Sequence, residues 1–125
     1  MPEHIDAGFA RKYRLVKPAE FKRVFQQPSK AGDKTLLILA QRNSLGFPRL
    51  GLAVSIKSMN TAVQRNRVKR VARETFRHHK ALLDGMDFIV TGRAGLADKT
   101  NQELRVALEK HWLSLSNAKN SDIAD

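Results

Sequence analysis

Residues 64–77 constrain this chain more than any other segment, because on a helix they divide into an apolar face and a cationic face. At about 100° per residue, the apolar side chains fall in one arc about 140° wide. The residues in this arc are Val68, Val71, Ala72, Thr75, Phe76, His79 and Leu82. Their spacing is typical of a helix that packs on a core. We therefore predict a long helix that begins at an N-cap on Asn60 or Thr61. It is expected to end near Leu83, with Gly85 suited to the left-handed turn that follows.

The cationic face of this helix carries more than half of the formal charge of the protein. Between Arg65 and Lys80 stand seven Lys or Arg residues and one acid, Glu74, which makes +6 of the formal +11. Four of the cations follow one another at i+4, where like charges repel by a few tenths of a kcal/mol per pair. These four are Arg65, Lys69, Arg73 and Arg77. A solvated face is normally mixed in sign, so the row indicates a bound anion, with a merely solvated face as the alternative.

The overall charge of the chain indicates the class of anion. There are 23 Lys and Arg against 12 Asp and Glu, and the pI is near 10.6, which favours nucleic acid as the partner. Acidic lipid is the weaker alternative, because a helix that lies on a membrane needs its apolar face free. The longest apolar run, residues 36–40, is too short to span a membrane. Residues 1–10 lack the apolar core of a secretory signal.

The length of 125 residues predicts one domain over residues 1–125, with an ordered core of about residues 13–116 and flexible ends. A chain of this size can bury a core without disulfides or metals. There is no cysteine. That excludes disulfide frameworks and the common cysteine-based zinc sites, and it suits the reducing cytoplasm.

Turn and periodicity signals divide the rest of the chain into short elements. One helix is predicted to start at Pro18 and to close at Pro28, and a last helix starts at Thr100, where Glu103 completes a capping box. The predicted strands span residues 35–41, 49–55 and 87–92, and a very short one fits within residues 29–34. The short connection makes residues 49–55 antiparallel to residues 35–41, and the strand after the long helix completes a crossover. The fold class is α/β or α+β, with helices packed on a small sheet.

Three aromatic residues mark the packing of the first and last helices. Phe21 and Phe25 flank Val24 at helical spacing, which usually means core, with a platform for stacked bases as the alternative. Trp112 recurs at helical spacing with the apolar residues of the last helix, and we predict that it anchors that helix in the core. From Ser116 onward the polarity is typical of a disordered tail.

The segment before the first helix is basic and contains one aromatic residue, Tyr13. It is either a solvated arm or a source of further phosphate contacts. The candidates for such contacts are Arg11, Lys12 and Arg14.

The residue types that carry enzyme chemistry form no convincing constellation. His78 and His79 lie on the basic helix without a nearby cysteine or acid pair, and His111 lies on an apolar arc. Asp84 and Asp87 flank a turn, and we interpret them as a chance pair rather than a magnesium site. We therefore expect no catalytic residue, no metal site and no cofactor in the protein itself.

Residues 65–77 resemble the Arg-Asn-Arg signature of the bacterial ribonuclease P protein subunit. They are Arg-Asn-Arg-Val-Lys-Arg-Val-Ala-Arg-Glu-Thr-Phe-Arg. The resemblance extends over residues 13–115, because three further segments stand in the order and spacing of the family. These are Phe-Lys-Arg-Val-Phe at 21–25, Arg-Leu-Gly-Leu-Ala-Val at 49–54 and Met-Asp-Phe-Ile-Val at 86–90. An isolated Arg-Asn-Arg would be a weak signal, but this long pattern is highly specific.

The resemblance implies a two-layer α/β sandwich with an unusual left-handed β-α-β crossover, whereas ordinary crossovers are right-handed. It implies a protein that pairs with a catalytic RNA subunit and helps to remove the 5′ leader from precursor tRNA. The RNA and its Mg²⁺ ions would perform the hydrolysis, with no membrane and no obligate protein partner involved. The helix face that would contact RNA comprises Arg65, Asn66, Arg67, Lys69, Arg70, Arg73 and Arg77. The cleft that would take the single-stranded leader includes Phe21, Phe25 and Lys57.

One departure and three alternatives accompany this resemblance. Family members often carry two adjacent lysines after the second strand, and here Ile56 precedes Lys57. The main alternative function is a ribosomal-protein-like RNA binder without a processing role. A DNA-binding regulator would need a helix-turn-helix pair, and the pattern shows a long lone helix beside strands instead. An independent nuclease would cleave precursor tRNA without the RNA subunit.

Overall fold

The computed structural model describes residues 11–53 and 61–124, with side chains as far as residue 118. Three helices and four strands follow one another in the predicted order. They are α1 (Pro18–Gln26), β1 (Ser29–Gly32), β2 (Leu36–Arg42), β3 (Arg49–Ala53), α2 (Ala62–His78), β4 (Met86–Gly92) and α3 (Asn101–Ala124). The predicted class, helices on a small mixed sheet, is confirmed, and so is the very short strand before β2.

The strands form one sheet in the order β1-β2-β4-β3. β2 is antiparallel to β1 and to β4, whereas β3 and β4 are parallel neighbours. The predicted direction of β3 relative to β2 is correct, but the two strands do not pair, because β4 lies between them. The run Phe88-Ile89-Val90 is buried on both faces, as an inner strand requires. The left-handed sense of the β3-α2-β4 crossover stays a prediction.

The two faces of the sheet pack against different helices, because side chains alternate along a strand. One face joins α2 and α3 in the main core, where Phe76, Phe88 and Trp112 meet edge to face with centroids 5.4–6.1 Å apart. The indole of Trp112 donates a 3.0 Å hydrogen bond to Thr75 Oγ1. Trp112 therefore anchors the last helix in the core, as its spacing predicted. On the opposite face, Val24 of α1 covers a smaller apolar cluster.

The predicted helix starts are confirmed by their capping bonds. Thr61 Oγ1 accepts from the Gln64 amide at 3.2 Å at the start of α2. Thr100 and Glu103 form the reciprocal capping box of α3, at 3.1 and 2.8 Å. Pro18 occupies the first turn of α1.

The predicted end of the long helix is wrong. α2 ends at His78 rather than near Leu83, and the chain continues in tight turns to Gly85, where φ is +77°. In these turns the amides of Leu82 and Leu83 bond to carbonyls three residues back. The tighter winding takes Leu82 out of the buried arc, so that it is 46% exposed, while Leu83 is buried.

The predicted disordered tail also needs correction. α3 continues past Ser116 as far as Ala124. Ser116 is buried, and its hydroxyl donates to the Leu82 carbonyl at 3.2 Å. The turn after α2 therefore contacts α3 at Ser116, one residue past the last apolar position of the α3 pattern. The polarity of the sequence does not reveal this contact.

Candidate nucleic-acid interface

The cationic row of α2 flanks the buried face of the helix. Four residues at i+4 spacing follow a helix for about 18 Å. These four, Arg65, Lys69, Arg73 and Arg77, are half-buried, whereas Asn66 and Arg70 are exposed. The neighbouring arc of the helix holds the buried residues, which are Val68, Val71, Ala72, Thr75 and Phe76. Because the apolar side is fixed in the core, the row is held in one orientation.

Arg67 differs from the other candidates on this helix, because its guanidinium binds inside the protein. Nη1 donates to the Lys99 carbonyl and to Asn101 Oδ1, both at 2.9 Å. Nη2 donates to the Ala97 carbonyl at 3.2 Å, and Nε and Nη2 both reach Gln64 Oε1 at 3.0–3.1 Å. Arg67 therefore ties the first turns of α2 to the loop that leads into α3. The resemblance to the family placed Arg67 among the contact candidates, and a motif in the sequence does not show which groups approach from elsewhere in the chain.

The N-terminal segment lies against the β3 edge of the sheet. Arg14 forms a parallel bridge with Leu50, and the Leu15 amide donates to the Leu50 carbonyl at 2.9 Å. Arg14, Lys69 and Arg73 line one cavity of about 200 Å³. The structure thus brings one of the three N-terminal candidates to the α2 row, and Arg11 and Lys12 are exposed beside it.

The two phenylalanines of α1 have different surroundings. The Phe21 ring packs on β3, where a Cβ on Gly51 would lie 2.6 Å from Phe21 Cζ. Phe25 is 50% exposed. α1 leaves Leu37 and Ala53 half-buried at the border of the smaller cluster. Phe21 therefore serves packing, and Phe25 presents an exposed ring on the same helix. Lys57 lies outside the described residues.

A buried ionic network lies under α1, and sequence reasoning missed it. Asp87, interpreted above as half of a chance pair, is fully buried on β4. Arg49 donates to both of its carboxylate oxygens at 2.8 Å, Asn43 donates to Oδ1 at 2.8 Å, and Arg23 pairs with Oδ2. Arg49 also bonds Glu20 on α1 at 2.7 Å. No local pattern could have revealed these partners, which come from three separate segments, α1, the β2–β3 loop and β3.

The pKa of Asp87 follows from this network. Burial alone raises the pKa of a carboxyl group, because it penalises the charged form. The hydrogen bonds from Arg49 and Asn43 and the positive charge of Arg49 outweigh burial, so the pKa of Asp87 is lowered. The same ion pairs raise the pKa of Arg49. Asp87 is therefore ionised and engaged, which makes it a structural group.

The described residues offer neither a metal site nor a membrane span. No group of three or more His, Cys, Asp or Glu side chains within residues 11–53 and 61–124 could hold a metal ion. No helix in these ranges is long and apolar enough to cross a membrane. His111, predicted as a packing residue, is buried and lies 2.9 Å from Asp33 Oδ2. Because Asp33 also accepts from the amides of Thr35 and Leu36, it closes the turn before β2.

Fold and surface together define a small, basic α+β protein with a row of cations on α2 and an exposed phenylalanine, Phe25, on α1 across the sheet. Residues 9–116 match the Ribonuclease P family. The ribonuclease P protein component of Cronobacter sakazakii is 48% identical over 108 residues, which cover 86% of this chain and 91% of that protein. The chain belongs to the ribonuclease P protein family.

Solved structures agree with this assignment. The RNase P protein from Staphylococcus aureus superposes with a TM-score of 0.76 at 31% identity, covering 83% of this chain and 94% of that one. The RNase P protein from Thermotoga maritima superposes with a TM-score of 0.69 at 27% identity, covering 78% and 92%. The similarity therefore extends over most of the fold.

Proposed function

We propose that this protein is the protein subunit of a cytoplasmic ribonuclease P. In this role it binds the catalytic RNA subunit through α2 and the single-stranded 5′ leader of precursor tRNA through the cleft beside α1. It thereby promotes endonucleolytic removal of the leader. The observation that carries the proposal is a row of cations on a helix whose other face is buried, in a chain of this family.

The two surfaces suit different forms of RNA. Cations attract any phosphate backbone, so the row on α2 fits a folded, largely paired RNA. An aromatic face gains only from an unstacked base, so the open ring of Phe25 fits a single strand. Because α1 and α2 lie on opposite faces of the sheet, one small protein can hold both RNAs at once.

The chemistry in this proposal belongs to the RNA. Mg²⁺ ions bound by the RNA supply the activated water and neutralise the phosphate. The carboxylates of Asp87 and Asp33 do not suit that task. Asp87 is saturated by arginine and asparagine, and Asp33 is engaged by two amides and His111. The protein contributes binding and orientation.

Reconstitution tests the proposal. The protein is mixed with its cognate RNA subunit at low Mg²⁺, and 5′ maturation of precursor tRNA is followed. We expect cleavage with the complex and none with protein alone. A ribosomal-protein-like binder would compete equally for bulk ribosomal RNA and would not stimulate maturation. Either of these results would overturn the proposal.

Arg70→Ala tests the cationic row, because Arg70 is an exposed member of the face. Binding to the RNA subunit is expected to weaken linearly on a log–log salt plot. The variant should reduce the slope by about one unit without loss of thermal stability. Filter binding at a series of salt concentrations measures this, and Lys34→Ala, an exposed cation on the β1–β2 turn, is the control. An unchanged slope for Arg70→Ala contradicts the assignment of the row.

Phe25→Ala tests the cleft. The loss of one stacked base predicts about 1–3 kcal/mol weaker binding of precursor tRNA to the holoenzyme. Binding of mature tRNA and assembly with the RNA subunit should stay unchanged. The measurement is affinity for substrates whose leaders are shortened one nucleotide at a time, with the exposed Val106→Ala on α3 as the control. If the loss is the same for a leaderless substrate, Phe25 does not contact the leader.

A further inference from the structure

Three segments of the chain meet just beyond the C-terminal end of α2 and bring two lysines to two aromatic rings. Tyr13, in the turn Arg11–Tyr13, and Phe47, in the β2–β3 loop, meet edge to face with centroids 5.8 Å apart. Lys80 Nζ lies 4.1 Å from the Tyr13 ring centroid. Lys12 Nζ lies 5.1 Å from the Tyr13 centroid and 5.2 Å from that of Phe47. We call these four residues the lysine–aromatic patch.

The rings of the patch hold two like charges near each other. The face of an aromatic ring carries a partial negative charge that attracts an ammonium group. Both ammonium groups lie within 5.1 Å of one ring, so the rings limit how far the two charges can separate. Lysine side chains in solvent otherwise sample many rotamers, and restraining them lowers the entropy that binding must overcome. A pair of restrained cations is thus better prepared for an anion than two free lysines.

The patch continues the cationic row of α2. Lys80 lies in the turn that follows α2, three residues after Arg77, so it comes directly after the row in the chain. Arg14, next to Tyr13 in the chain, lines a cavity with Lys69 and Arg73 in the middle of the row. Tyr13 packs against the main core, on the α2 face of the sheet, and Phe25 lies on α1 across the sheet. The patch therefore belongs to the α2 surface and not to the leader cleft.

We propose that the lysine–aromatic patch is a phosphate-binding site for the catalytic RNA subunit, continuous with the row on α2. Lys12 and Lys80 contact the phosphate, and Tyr13 and Phe47 act as positioning residues that hold the two ammonium groups in place. This rests on the proposed function, because it extends the RNA surface of α2 by a further contact.

The test compares salt slopes for binding of the RNA subunit to the full chain. Lys12→Ala and Lys80→Ala should each lower the log–log slope by about one unit, as a lost phosphate contact does. Lys110→Ala is the control. This exposed lysine of α3 lines a groove between α3 and β1, and β1 is the strand at the opposite edge of the sheet from β3. Unchanged slopes for Lys12→Ala and Lys80→Ala overturn the proposal. If Arg70→Ala keeps its effect in that experiment, the proposed function still stands.

The rings are tested separately. Tyr13→Leu keeps an apolar side chain but removes the aromatic face, whereas Tyr13→Phe keeps that face. Affinity for the RNA subunit at one salt concentration should fall several-fold in Tyr13→Leu and recover in Tyr13→Phe. Thermal unfolding identifies the temperature range in which each variant is folded, and affinities are compared there. Equal affinities for the parent and Tyr13→Leu, or a loss shared by Tyr13→Phe, overturn the positioning role. Equal losses for precursor tRNA without the RNA subunit would assign the patch to the substrate instead and also overturn the proposal.

Discussion

Replacing Arg67 with alanine is expected to lower the free energy of unfolding by about 1.5–3 kcal/mol, the range for hydrogen bonds made by a charged group. The substitution leaves the carbonyls of Ala97 and Lys99 and the side chain of Asn101 without this donor. The first turns of α2 then lose their tie to the loop before α3. Urea unfolding of the parent and the variant measures the loss. Arg70→Ala is the matched control, since it removes an exposed arginine from the same helix.

Arg67→Ala also distinguishes two roles of Arg67, which either holds α2 in position or contacts an RNA phosphate itself. Where the protein is still folded, Arg67→Ala should weaken RNA binding without changing the salt slope, because no phosphate contact is lost. Arg67→Lys should also weaken RNA binding, since a single ammonium group cannot replace a planar guanidinium that has several hydrogen-bond partners. Asn101→Ala, which removes a neutral partner of the guanidinium, should weaken binding in a way that is not additive with Arg67→Ala. A slope lowered by one unit, restored in Arg67→Lys, would identify Arg67 as a phosphate contact instead.

Arg49→Ala is expected to cost about 3–5 kcal/mol, because removing one partner of a buried ion pair leaves the charge of Asp87 with only Asn43 and the partly exposed Arg23 to compensate it. Arg49 donates to both oxygens of the fully buried Asp87 and links it to Glu20 on α1. Arg23→Ala should cost less, since the Arg23 side chain is 40% exposed. Chemical denaturation of the two variants gives the comparison. Similar small losses for both would show that solvent reaches Asp87.

The network also predicts how the free energy of unfolding falls at acid pH. The pKa of Asp87 is lower in the folded protein than its ordinary value of 3.8. The folded state therefore binds fewer protons than the unfolded chain, and the contribution is fully present above the ordinary pKa. It is lost as the pH falls through the lower, folded value. Asp87→Asn should make stability depend less on pH in this range. The effect is only partial, because the pKa values of Asp33 and Glu20 are lowered too and these groups also lose stability on protonation. Unfolding midpoints from neutral to strongly acidic pH provide the measurement, and an unchanged fall in stability at acid pH would contradict the prediction.

Local periodicity and capping chemistry predicted much of the fold. Val68, Val71 and Phe76 are buried as their helical spacing requires, and Thr61 and Trp112 have their predicted roles. The exposed ring of Phe25 provides the surface that base stacking would need. Helical spacing alone left two alternatives for Phe25, a core residue and a platform for stacked bases. These features could be predicted because each depends on neighbours within a few residues, where the geometry of a helix is known in advance.

The amphipathic basic helix, the caps, the strand segments and the resemblance to a family could all be predicted from the amino-acid sequence. Packing of the whole chain was needed to place β4 between β2 and β3, Arg67 against the loop before α3, and Asp87 between two arginines. It also decided that Lys12 and Lys80 share one ring. Each of these pairings joins residues more than twenty positions apart. Whether such groups meet depends on how the elements pack and not on local spacing, so an arginine in a contact motif and an arginine that ties two helices together look alike in the chain.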